Sequence, residues 1–326
     1  MKKSLIALAA LAAVTAASAQ STVTLSGNYS FSYQTDLSNL AANSALVTVN
    51  SARGGTATAA ASVVNGQGFT VTAADFKLAA VEDLGGGLKA SFDYVMETGN
   101  FRGAPVTRAD SGIGLSTPMG NIAMRNTRGS DLLASITSPA ISLPDGLYEG
   151  HGILSRPNID IVSYTAPTMS GFTASVTYVE ASDGAVDLPT TIKSINVYGV
   201  NYTNGPISAT YAMKVHSQAA GLTNKKNQNE LAATYDFGVA KVGFAFDDKT
   251  TATGKTATGY SITVPVGAIS FGAQIFKRDA VRQTDFGASY AFSKRTSVSV
   301  SSGKLSGNVL ALRNGNQSRV RLLHTF

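Results

Sequence analysis

Apolar and polar residues take turns along this chain with a period of two. Between residues 22 and 33, Val23, Leu25, Gly27, Tyr29, Phe31 and Tyr33 fall on one side of an extended backbone. Thr22, Thr24, Ser26, Asn28, Ser30 and Ser32 fall on the other, because successive strand side chains point to opposite faces. The pattern returns in Leu88, Ala90, Phe92, Tyr94 and Met96, in Phe172, Ala174, Val176 and Tyr178, in Phe286, Ala288, Tyr290 and Phe292, and in Val320, Leu322, His324 and Phe326. No 3.6-residue repeat of similar strength competes with it, so the chain reads as all-β. The expected strands are 22–35, 69–81, 88–98, 109–116, 120–127, 157–165, 171–180, 192–203, 206–216, 228–236, 239–248, 257–266, 268–278, 283–292, 296–304 and 316–326, sixteen in all. Residues 36–68 read either as one long loop or as a loop holding a hairpin near 45–50. The alternation is poor over 157–165.

The separators add a second rhythm. Tight turns at 83–87, 117–119, 204–205, 237–238 and 293–295 alternate with longer stretches rich in Ser, Asn and Gly. Tight at one end and loose at the other describes an antiparallel up-and-down barrel that crosses a membrane. A closed ring of sixteen strands is too wide for side chains to fill, so its interior holds water. The Ser, Thr, Asn and Gly face would therefore line the lumen, and the apolar face would meet lipid. Closure also pairs the backbone N–H and C=O groups that hydrocarbon would leave unsatisfied. Tyr29, Tyr33, Tyr178, Tyr202, Tyr235, Phe237 and Phe292 near the row ends suit the interfacial girdles.

The beginning of the chain reads as a cleaved signal peptide over 1–19. Lys2 and Lys3 precede an apolar run, and Ala17-Ser18-Ala19 gives a small-residue cleavage site before Gln20,. Residues 20–326 then form a single barrel domain carrying 24 Lys and Arg against 20 Asp and Glu. That excess, without a basic run, gives no reason to expect a nucleic-acid partner. Charged residues are only 14% of the chain, against roughly 25% in soluble domains. With no cysteine there is no disulfide, thiol nucleophile or thiolate metal site,. His151, His216 and His324 are scattered, and Gly254-Lys255-Thr256 lacks the first glycine of a phosphate loop because Lys249 stands there,. Neither a cofactor, a metal nor an enzyme is expected.

Several segments resemble the Gram-negative general porins. Residues 285–296, DFGASYAFSKRT, are similar to that family's G-x-x-Y-x-L-S-K-R-T stretch, and 320–326, VRLLHTF, to its closing strand. Residues 82–90, EDLGGGLKA, resemble an early family turn, 264–268, VPVGA, a later one, and Tyr164-Thr165-Ala166-Pro167 with Gly171-Phe172 resembles Y-x-S-P-x-x-x-G-F. The resemblance implies a trimer of sixteen-stranded barrels whose third external loop folds into the channel. That loop would be 128–156, carrying Asp131, Asp145 and Glu149 together with Arg128, His151 and Arg156. The terminal Phe326 would be read by the barrel-assembly machinery. The chain departs from the family at Arg125-Asn126-Thr127, where Gly-Arg-Gln is usual, and Arg156 stands about one residue off its expected place.

Strand parity turns Lys77, Lys89, Asp93, Arg125, Arg319 and Arg321 toward the lumen, with Lys241 a further candidate. Cations on one wall opposite a loop bearing acids would set a transverse field and a weak preference for anions. The expected protein is an outer-membrane channel for passive diffusion of small hydrophilic solutes and ions, working among outer-membrane lipid and lipopolysaccharide. Its rivals are a substrate-specific channel of the same architecture, an exported β-rich ligand-binding or adhesin protein, and a barrel enzyme.

Overall fold

The period-two segments form strands whose ends lie within a few residues of those read from the pattern. In the computed structural model they are β1 (Ser21–Thr35), β2 (Val47–Ser51), β3 (Gly55–Ala59), β4 (Gln67–Gly85), β5 (Leu88–Thr98), β6 (Val106–Thr117), β7 (Gly120–Arg128), β8 (Asn158–Thr165), β9 (Phe172–Glu180), β10 (Ile192–Asn204), β11 (Ile207–Gln218), β12 (Gln228–Asp236), β13 (Lys241–Asp247), β14 (Ala257–Val266), β15 (Ile269–Arg278), β16 (Val281–Ala291), β17 (Thr296–Ser306) and β18 (Gly315–Thr325). The structure describes residues 21–35, 47–51, 55–59, 67–98, 106–129, 132–142, 158–180, 192–218, 227–248, 256–307 and 315–326. β1 and β4–β18 close into one antiparallel barrel of sixteen strands, and β2 pairs with β3 in a separate hairpin. The hairpin reading of 36–68 is the one that holds.

Closure is made by β1 against β18, from Asn28 opposite Thr325 to Thr35 opposite Ser318. Gly27 and the terminal Phe326 extend it by exchanging backbone hydrogen bonds of 3.1 and 3.0 Å. A Cβ on Gly27 would meet the Phe326 ring at 2.6 Å, so the glycine leaves that ring its seat. The ring also lies 5.7 Å from that of Phe76. One extra residue bulges β4 near Thr72, whose hydroxyl bonds those of Ser30 (2.7 Å) and Ser32 (2.9 Å).

The outward rows are apolar and exposed, with Leu25 and Phe286 each about 60% accessible. Aromatic pairs gather near the tight turns, where Phe172–Tyr202 and Tyr235–Phe237 have ring centroids 4.5 Å apart and Tyr290–Phe292 5.0 Å. Among the described residues no helix is long and apolar enough to cross a membrane.

The inner face departs from the polar lining that the alternation suggested. Val179 and Ile195 are buried there with Ile159, Ile161 and Val197 around them. This explains the poor alternation of β8, which has Val162 and Tyr164 outside and Ile159 and Ile161 inside. A strand apolar on both faces loses its period-two signature.

Candidate functional site

Inside the barrel, charged side chains meet where the register brings three strands together. Asp93 of β5 and Arg125 of β7 both stand opposite Gly112 of the intervening β6. Two strand spacings are about 10 Å, a gap that an arginine side chain bridges only if nothing rises between. Gly112 provides that clearance, since a Cβ there would come within 2.8 Å of Arg125 Cγ. The guanidinium donates from Nη1 to Asp93 Oδ1 at 2.8 Å and from Nη2 to Oδ2 at 2.7 Å. Lys77 Nζ of β4 stands 3.6 Å from the same carboxylate. The fork geometry fixes both partners in a way that a lysine in place of Arg125 would not.

Half a turn around the ring, the inner wall carries a docked segment. Leu132–Ile136 forms a 3₁₀ turn whose Leu133 and Ile136 are buried against Ala232, Ala245, Ala257, Phe276, Val281 and Leu305. Burying two such side chains contributes about 1.5–3 kcal/mol each. The segment fits because β13 to β16 each present a glycine beneath it. An added Cβ would lie 2.9 Å from Ile136 Cβ at Gly243, 3.1 Å from Ile136 Cδ1 at Gly259, 2.9 Å from Ser138 Cβ at Gly272 and 2.8 Å from the Ala140 carbonyl oxygen at Gly287.

Hydrogen bonds then fix its position along the wall. The Ser138 N–H donates to Gln274 Oε1 (3.0 Å), and the Ser142 N–H donates to Ser301 Oγ (2.8 Å). Arg319 donates from Nη1 to the Ser142 carbonyl (3.0 Å) and from Nη2 to Gln34 Oε1 (2.7 Å). Gln274 is itself held by Asp285, whose Oδ2 accepts from it (2.9 Å) and from Gln283 (2.7 Å). A gap of about 260 Å³ remains between segment and wall, lined by Ser135, Thr137, Thr234 and Lys241 among others. Farther round, Lys214 Nζ pairs with the buried Glu230 at 2.5 Å.

The residues singled out from the sequence therefore separate. Lys77 and Arg125 meet at Asp93. Lys89 faces inward opposite Asp83, but by strand rise it lies roughly 13 Å nearer the tight turns than Asp93. Arg319 faces inward as expected, yet it is 6% exposed and acts as a tether instead of an open wall charge. Arg321, two residues on and the next inward position, is half-buried opposite Ser32 and Ser299. Arg128 ends β7, and its side chain lies outside the described residues, as do Asp131, Asp145, Glu149 and Arg156. Sequence reasoning missed Gly112 and the glycine track. The signal was available: Gly243, Gly259, Gly272 and Gly287 all fall at inward parity in successive strands.

Comparison with known proteins agrees with the barrel fold. The Gram-negative porin family matches residues 7–308. Outer membrane porin protein 32 of Delftia acidovorans is 32% identical over 271 residues, covering 74% of this chain and 68% of its own. Among solved structures, a multiply substituted porin of Rh. blastica superposes with a TM-score of 0.64 at 17% identity, over 94% of this chain and 100% of its own. OmpT of Vibrio cholerae lacking loop L8 gives 0.64 at 12%, over 94% and 99%. The barrel fold is thus shared with these structures, and the chain belongs to the Gram-negative porin family of outer-membrane channels.

Proposed function

We propose that the chain forms a water-filled channel for passive diffusion of small hydrophilic solutes and ions, narrowed where the 132–142 segment faces the Lys77–Asp93–Arg125 cluster. The observation that supports this reading is the disposition of the two: the segment sits on β12–β17, and the cluster lies across the ring on β4–β7. Arg128, Arg156, Asp131, Asp145 and Glu149 would add to the same constriction, Lys89 would act at the turn-end mouth, and Arg321 would line the wall beside the Arg319 tether.

The weak anion preference draws on the imbalance within the cluster, where two cations share one carboxylate. Asp110 on the same wall also acts on Arg125 and keeps the preference small. The rest of the proposal is a homotrimer exported through cleavage before Gln20, with Phe326 as the assembly signal. Reversal potentials in a salt gradient across planar bilayers test the selectivity. An anion-selective potential is expected, and a cation-selective one would remove the charge assignment. Saturable block by a single solute would instead favour a substrate-specific channel.

A further inference from the structure

The gap between the docked segment and the barrel wall lies on the tight-turn side of the glycine track. On β13 the inward position next to Gly243, toward the turn, is Lys241, and on β12 the one next to Thr234 is Asp236. The two end the inward row of this hairpin, directly opposite one another. They carry opposite charges, yet among the described residues they form no ion pair. The turn explains this. Asp236 Oδ1 accepts from the Gly238 N–H at 2.7 Å, which draws the carboxylate toward the turn and away from the lysine. Both side chains are exposed and both border the gap of about 260 Å³.

We propose that this gap is a retention site for a small zwitterion, an α-amino acid, whose carboxylate meets Lys241 and whose ammonium meets Asp236. The proposal deepens the channel reading and rests on it, since a permeating solute reaches the gap from the lumen. Charge separation selects the class. Facing positions on paired strands lie about 5 Å apart, which suits a carboxylate and an ammonium carried by one carbon. Groups separated by several methylenes would overreach. A simple anion would gain the lysine but stand beside the aspartate, and a simple cation would meet the reverse; only a ligand with both charges satisfies both residues at once.

The rest of the lining agrees with the charges. Ser135 Oγ and Thr137 Oγ1 already donate to the Leu132 and Ala134 carbonyls, so toward the gap they serve as acceptors for an ammonium. Pro139 of the segment and Pro265 of β14 add apolar surface for an aliphatic side chain. Thr263, which also borders the gap, bonds Ser138 Oγ at 2.7 Å. The roof is therefore fixed to the wall before any solute arrives, which lowers the ordering cost of binding. The gap is smaller than the range usual for drug-sized ligands, about 300–1,000 Å³, and suits a solute of a few heavy atoms.

The test uses the full chain folded in detergent, titrated with L-alanine, propionate, propylamine and 4-aminobutyrate and read by saturation-transfer NMR. L-Alanine should bind about threefold or more tightly than each of the others, a contrast that exposed charge pairs sustain. Lys241→Gln and Asp236→Asn should each abolish that preference, and the asparagine keeps an oxygen for the Gly238 N–H. Lys241→Arg should retain it, and Lys294→Gln, at another tight turn, should leave it unchanged. Equal binding of propionate and L-alanine by the wild type overturns the zwitterion as occupant. A preference for L-alanine that survives in both charge variants overturns the site. If Asp236→Asn does not fold, Lys241→Gln against Lys241→Arg reads the same contrast. Ion conductance in planar bilayers is recorded in parallel: its absence refutes the channel reading, whereas a conducting channel without the L-alanine preference refutes the site alone.

Discussion

Arg125 lies across Gly112 and binds both carboxylate oxygens of Asp93, at 2.8 and 2.7 Å. The pair is partly exposed, so its worth to stability is small, about 1 kcal/mol or less. Its consequence is positional. A guanidinium held flat against the wall keeps its charge at a fixed height and leaves open the lumen it would otherwise sweep through.

Removing one partner should therefore move selectivity in a signed way. Arg125→Ala leaves Asp93 facing Lys77 alone and shifts the zero-current potential toward cations. Asp93→Asn leaves two cations and shifts it toward anions. Both shifts should shrink in 1 M salt, where the screening length is about 3 Å. Reversal potentials at two salt concentrations check this.

Gly112→Val tests geometry without changing charge. The β-branched side chain suits a strand but fills the strip that Arg125 crosses, so the guanidinium must lift into the lumen. Lower single-channel conductance with altered selectivity is expected. A variant indistinguishable from wild type in bilayers would show that the clearance over β6 is not what positions the arginine.

Filling the glycine track should release the docked segment while sparing the barrel. Gly287→Val would bring side-chain atoms against the Ala140 carbonyl, and overpacking of this kind costs about 1–3 kcal/mol. Higher conductance or greater current noise is the expected outcome, with resistance to unfolding in unheated SDS retained. Unchanged conductance in a folded variant would mean that the segment does not limit the channel.

Arg319→Ala removes the donor to both Ser142 and Gln34. Leaving the buried Ser142 carbonyl without this partner costs about 1–3 kcal/mol, again at the expense of docking. Because Arg319 and Gly287 hold the same segment, their combined effect should be less than additive. Current noise in the two single variants and the double variant measures the coupling.

The expected strands and the observed ones differ by a few residues at their ends because alternation between two solvents fixes both where a strand runs and which side faces out. Phe92 and Lys89 needed nothing more than parity to be assigned to opposite faces. The sequence was least legible where that contrast failed. Ile159 and Ile161 obscured β8 by being apolar on the inner face, and the glycines of β13–β16 read as ordinary polar-face residues until the segment was seen lying on them.

Local pattern thus determined the strand count, the facing of each residue and the family. The two-residue period and the turn rhythm act between near neighbours, and they survive in a one-dimensional reading. The tertiary structure alone decided that Arg125 reaches Asp93 over Gly112 and that Arg319 is a tether. Those relations depend on which strands close the ring and in what register, and they join residues whose separation along the chain carries no trace of their contact.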